Sequence, residues 1–201
     1  MKAVVRGTVC GLALMVALTG CGGDGDPTVG GIGSGSGKSK ASRTLTPEEL
    51  RALLPTNEGV GDVFTGRDGL AIGGEPARQQ CAEDSGAECP GIVAAGHKES
   101  AARDNYDNRK VEFTLFAFDS PKAASAAAKN MAAKKSKGDP TPTPTKINTG
   151  ADETQAFTSG KSADVVMRVG NVVAYVDAYL DGIDDVTYVT THQVDLLKST
   201  A

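Results

Sequence analysis

Residues 165–179 read Val-Val-Met-Arg-Val-Gly-Asn-Val-Val-Ala-Tyr-Val-Asp-Ala-Tyr. β-Branched and aromatic residues fill both arms, Val165 to Val169 and Val172 to Tyr179, which is the composition of strands. Gly170-Asn171 between them is a two-residue turn with glycine first, and it folds the arms into an antiparallel hairpin of type II′. Upstream, Val111-Glu112-Phe113-Thr114-Leu115 alternates and Phe116-Ala117-Phe118 continues it. Residues 92–103 carry a weaker strand pattern (Ile92, Val93, Ala94, Ala95). The turn cluster Asp104 to Asn108 pairs the two segments as an earlier hairpin. Ala156-Phe157-Thr158 adds a further strand.

Helical signals fall between and around these hairpins. Thr46-Pro47-Glu48-Glu49 is a capping box with proline at the first helical position, followed by Leu50, Leu53 and Leu54 on one face. Pro55 restricts Leu54 and ends that helix. Ser120-Pro121 repeats the start signal before an alanine-rich run to Ala133, with Lys134, Lys135 and Lys137 at the negative end of the helix dipole. The last helix has Asp184-Asp185 as its cap and Val186, Val189, Gln193, Val194 and Leu197 on one face. Residues 56–90 hold seven glycines and read mostly as loop, with a short strand near Leu70 to Ile72. Gly138 to Thr145, with prolines at 140, 142 and 144, is extended and reads as an exposed crossing loop.

The expected fold is therefore α+β: an antiparallel sheet of hairpins with helices packed on one face, in two layers. Val172, Ala174 and Val176 are expected beneath the alanine-rich helix, since alternation turns one strand face to it.

The chain has 201 residues, 39% hydrophobic and 23% charged, with no tryptophan and 4% aromatics, so its core is aliphatic. That balance fits neither a disordered chain nor a membrane bundle. The formal net charge is −4; without Lys2 and Arg6 it is −6, and without Asp24, Asp26, Lys38, Lys40 and Arg43 as well it is −7. An acidic body argues against nucleic acid as a partner, because that affinity rests on Lys and Arg meeting phosphates.

Lys2 and Arg6 precede an apolar run, Val9 to Leu18, that is too short to span a bilayer and has the layout of a signal peptide, residues 1–20. It ends in Leu18-Thr19-Gly20-Cys21, which resembles the bacterial lipobox. The resemblance implies cleavage before Cys21, diacylglycerol on its thiol and fatty acyl chains such as palmitate. The partner is then the cell membrane, held through that lipid anchor from its extracytoplasmic face. Residues 22–43 contain eight glycines and read as a flexible tether spanning roughly 25 Å. Residues 44–201 are left as one domain.

Beyond Cys21, only Cys81 and Cys89 remain if Cys10 leaves with the signal. Two cysteines outside the cell, joined by a polar, turn-rich segment, read as a disulfide. A metal site would need more ligands than His97 and His192 supply, and redox pairs usually sit at Cys-x-x-Cys spacing.

The order helix, hairpin, helix, hairpin, helix resembles the extracytoplasmic sensor domain of mycobacterial PknH-type Ser/Thr kinases and its relatives in stand-alone actinobacterial lipoproteins. The resemblance is carried by Leu50-x-x-Leu53-Leu54-Pro55, Cys81, Val111-x-Phe113 to Phe118-x-Ser120-x-x-x-Ala124, Gly150-Ala151-Asp152-Glu153 and Val166-x-Arg168-x-Gly170-Asn171-Val172-Val173. It implies a sensor-like α+β domain over most of residues 44–201. This chain has no kinase domain, no tryptophan and a single cysteine pair in that region.

Catalytic chemistry finds no constellation. Walker and Rossmann phosphate loops are missing, and Gly33-Ser34-Gly35-Ser36-Gly37 lies in the tether with no strand before it. His97 and His192 read as surface residues, Asp181, Asp184 and Asp185 as turn and cap, and Arg168 as a rim salt bridge. Asp104, Asp107, Arg109 and Lys110 read as a solvated turn, and the lysines at 134–137 as a solvated helix end. No catalytic residue, metal or cofactor is assigned, and no ligand-binding residue is named. The expected function is a non-catalytic binding module for a small ligand or envelope component. The alternative is an interaction protein that docks on another cell-surface or membrane protein.

Overall fold

Local signals begin the chain's order where the sequence places them. The computed structural model describes residues 43–61, 64–103, 108–138 and 140–200. The signal segment, Cys21, the tether up to residue 42, and Asp104 and Asp107 lie outside the described residues. Helix α1 (Pro47–Ala52) starts with the full capping box: Glu49 N–H donates to Thr46 Oγ1 and Thr46 N–H to the Glu49 carboxylate. Helix α2 (Asn57–Val60) is one turn, with Thr56 Oγ1 accepting from Gly59 N–H at 3.1 Å. Strands β1 (Phe64–Thr65) and β2 (Leu70–Gly73) follow, then helix α3 (Gly74–Ser85). Strands β3 (Ile92–Ala102) and β4 (Lys110–Phe118) form the first hairpin. Helix α4 (Pro121–Lys135) is capped by Ser120. Strands β5 (Thr143–Thr145), β6 (Glu153–Ser159), β7 (Ser162–Val169) and β8 (Val172–Tyr179) lead to helix α5 (Ile183–Lys198).

Among the described residues the strands make one eight-stranded antiparallel sheet in the order β1-β3-β4-β8-β7-β6-β5, with β2 also on β3. The α+β class and the antiparallel sheet of hairpins stand as expected. The β7–β8 hairpin closes through Gly170-Asn171, with Val169 opposite Val172 and Gly170 at φ +58.

The helices cover both faces, which corrects the expected two-layer arrangement. One face buries Val111, Phe113, Leu115, Val165, Met167, Ala174 and Val176 together with α1, α2 and α5. The other buries Phe116, Phe118, Val166, Val173 and Tyr175 together with α3 and the alanine stripe of α4. Val172, Ala174 and Val176 therefore lie on the α5 side, and Val173 and Tyr175 take the place expected for them beneath α4. The reason is visible in β4 and β8: their interiors run apolar at successive positions, the pattern of strands covered on both sides. Alternation in Val111 to Leu115 obscured that continuity.

Three further expectations change. Residues 56–90 are not mostly loop, because α2, β1, β2 and α3 lie within them. The Pro/Thr stretch is extended as expected but includes edge strand β5, where Pro144 opposite Phe157 sits at the sheet's rim and spares the ladder its missing donor. Helix α5 is capped by Gly182 rather than by Asp184-Asp185, which occupy the first turn and favour the positive end of the dipole from there.

Candidate functional site

The loop at residues 66–69 leaves β3 half-covered at one end of the sheet. Strand β1 pairs with Ala101 and Ala102, and β2 with residues 94–97, so among the described residues no strand pairs with β3 between Lys98 and Ser100 on that edge. The loop crosses the gap in close contact. A Cβ on Gly66 would stand 2.2 Å from the Glu99 carbonyl oxygen, and one on Gly69 would stand 2.4 Å from Leu54 Cδ1. Asn57 ties the parts together, donating from Nδ2 to the Gly66 carbonyl (3.1 Å) and accepting at Oδ1 from Ser100 Oγ (3.4 Å).

The result is a groove of about 600 Å³ lined by Arg51, Leu54, Thr56, Asn57, Asp68 and Lys98 among others. On the opposite face a hollow of about 490 Å³ beside Leu70, His97 and Glu99 shares Asp68 and Lys98 with it. Lys98 pairs across β3–β4 with Phe113, so its side chain belongs to the face that carries the α1–α5 core. It is only 6% exposed. Among the described residues no hydrogen bond or ion pair reaches its ammonium. Gln193 Oε1 is the one fully enclosed side-chain polar atom there without a partner, so the equally unpartnered Lys98 Nζ reaches the groove. Burial pulls its pKa below the ordinary lysine value, and Asp68 pulls weakly the other way.

A second polar feature lies on the α4 side of the sheet, beyond the ends of α3 and α4. Glu99, Glu112, Asp177 and Asp164 stand side by side on β3, β4, β8 and β7 in direct register. Lys110 Nζ bonds Glu112 at 2.9 Å, and Lys135 Nζ lies 3.8 Å from Asp164. Tyr175 donates its hydroxyl to Asp164 at 2.5 Å and accepts from Lys135 at 2.6 Å, and burial pushes its phenol far up. Burial, then Asp164 and Glu112, raise the Asp177 carboxyl. Burial also raises Asp84. Among the described residues no group of three or more acids, histidines or cysteines is placed to hold a metal ion.

The residues singled out from sequence are scattered. Cys81 and Cys89 are bridged with Cα atoms 6.1 Å apart, tying α3 to the turn before β3. His97 sits on the α3 side, with Nδ1 3.4 Å from Thr114 Oγ1. His192, on α5, packs its ring over Gly59, where a Cβ would collide with it.

 Asp181 pairs with Lys161 at 2.7 Å and lies 3.8 Å from Arg109, and Arg109 lies over the Phe64 ring at 5.8 Å. Arg168 is the rim ion pair expected of it. Its Nε donates to Glu153 at 2.8 Å, and its Nη1 to Asp152 at 3.0 Å and to the Gly170 carbonyl, which locks the hairpin turn. Of the lysine run, Lys134 reaches the Glu83 carbonyl and Lys135 the Tyr175–Asp164 pair, so these two are engaged rather than merely solvated. Sequence reading missed Lys98. The available signal was its phase: Ala94, Gly96, Lys98 and Ser100 share one face of β3, and a lysine in that series points where the core lies.

The chain belongs to the family described as Domain of unknown function (DUF7373) N-terminal, whose model matches residues 41–200. No curated protein matches it. Among solved structures, the extracellular domain of PknH from Mycobacterium tuberculosis is similar, with a TM-score of 0.53 and 15% identity, covering 78% of this chain and 99% of that one. At that identity the likeness is one of fold. Among the described residues no helix is long and apolar enough to cross a membrane.

Proposed function

We propose that the protein is a lipid-anchored, extracytoplasmic, non-catalytic binding module, and that it holds a small ligand or envelope component in the groove around Lys98. The observation that carries this reading is the groove itself: about 600 Å³ of space with a mostly buried, unpartnered amine among charged, polar and a few apolar side chains. The fold shared with a kinase extracellular domain supports an extracytoplasmic place. The signal-like segment ending at Cys21 supports the anchor.

Two measurements test the reading. Replacing Cys21 by Ser should move the protein from the membrane pellet to the soluble fraction; retention in the pellet contradicts the lipid anchor. The low-mass fraction of the native envelope should raise the melting temperature of the full chain in detergent, because a ligand that binds only the folded state stabilises it. No shift at any extract concentration contradicts the binding module. The alternative, docking on another surface protein, draws on β2, where Leu70 is 70% and Ile72 38% exposed beside an open strand edge.

A further inference from the structure

We propose that the Lys98 groove takes a small zwitterion, an amino acid or dipeptide, with the ligand carboxylate on Lys98 Nζ and its ammonium facing Asp68 and Glu58. The inference rests on the binding-module reading and names the ligand class for that same groove.

The first support is the state of Lys98. Its side chain is more than nine-tenths buried, its ammonium has no hydrogen-bond or ion-pair partner among the described residues, and it reaches the groove rather than the closed core. An ammonium that meets water only through the groove has few acceptors for its three donors. A carboxylate oxygen supplies the strongest kind, a charge-assisted bond. The scaffold around it does not bend to meet that need. Asn57 bonds the Gly66 carbonyl and the Ser100 hydroxyl, Thr56 Oγ1 accepts from the Gly59 amide, and no described hydrogen bond runs from either to Lys98.

The second support is the charge pattern. Arg51 and Lys98 are balanced in the lining by Glu58 and Asp68, all on one groove. A dianion such as phosphate would face two carboxylates as well as two cations. A ligand with one negative and one positive end meets a complement for each. Asp68 lines the same groove as Lys98 and supplies a carboxylate for the ligand's ammonium.

Calorimetric titration of the full chain in detergent tests this with four probes: alanyl-alanine, propionate, alanine amide and inorganic phosphate. Alanyl-alanine should bind, with propionate and phosphate at least tenfold weaker and alanine amide silent. Lys98→Met should weaken alanyl-alanine at least tenfold, and Thr143→Asp, on the far edge strand, should leave it unchanged. On the unmutated chain, saturating alanyl-alanine should slow acetylation of the Lys98 amine at least threefold, read by peptide mass spectrometry. Tighter binding of phosphate or alanine amide than of alanyl-alanine overturns the ligand class. Unchanged affinity in Lys98→Met, or unchanged acetylation, overturns the assignment to Lys98. No heat with alanyl-alanine overturns the inference, while the melting test with envelope extract decides the binding module separately.

Discussion

Lys98 holds a charge at a position that its strand neighbours give to the core. Its folded pKa lies below the ordinary 10.5, so between the two values the unfolded chain binds more protons and stability rises with pH. At pH 7 the cost of the buried ammonium is present in full. Lys98→Met, close in volume and uncharged, should raise stability by about 1–2 kcal/mol at neutral pH, and the gain should shrink as pH approaches the lysine range. Thermal melting from pH 6 to pH 10 checks it; a fall in melting temperature at pH 7 would mean that the amine holds the fold together. Asp177 has the opposite sign of charge and a related problem. Its folded pKa lies above 3.8, so the penalty for ionising it is complete above the folded value and absent below the unfolded one. Glu112 and Asp164 stand directly across from it. Asp177→Asn should therefore stabilise by roughly 0.2–1 kcal/mol at pH 7, with the gain gone near pH 4. A gain that persists at acid pH would contradict ionisation of a partly buried carboxylate beside like charges as its cause.

At the scale of elements, the sheet centre depends on β8. Val176 is fully buried between β4 and β7, opposite Phe113 and Val165. Val176→Asp should lower the melting temperature by many degrees or prevent folding, since an unpaired carboxylate in an apolar site is among the costliest changes. Thr143→Asp, exposed on β5, should change little. Comparable small shifts at both positions would place the core elsewhere. The Cys81–Cys89 bridge clamps α3 beside β3, and closing so short a loop is worth roughly 2–3 kcal/mol in the chain-entropy model. Exported, unreduced protein should show no alkylation at either cysteine by mass measurement; two alkylated thiols would contradict the bridge.

The same elements show what could be read in advance. Caps made α1 and α4 legible, because Thr46, Pro47, Ser120 and Pro121 act within a turn of themselves. The β7–β8 hairpin was legible from its valines and Gly170. Helix α3 was not, because its buried side is a narrow stripe, Ala77, Cys81 and Ser85, spaced by four and only weakly apolar. The two-sided cover was also missed, since which helix takes which face of a continuous apolar strand is settled by chain crossings that no local pattern records. Lys98 was hidden for a related reason: its burial comes from loop 66–69 folding back over β3, a contact distant in sequence from α1.

At the scale of the whole described domain, one antiparallel sheet lies between two helical layers. The groove around Lys98 lies among α1, α2 and the 66–69 loop, beside the stretch of β3 that neither β1 nor β2 pairs. Mass measurement under native conditions tests the central claim most directly, on full-length protein released from its own envelope beside the Lys98→Met variant. The account predicts a retained mass of a small molecule on the native chain that is reduced or lost in the variant. A native chain that carries no such mass, indistinguishable from the variant, would contradict it.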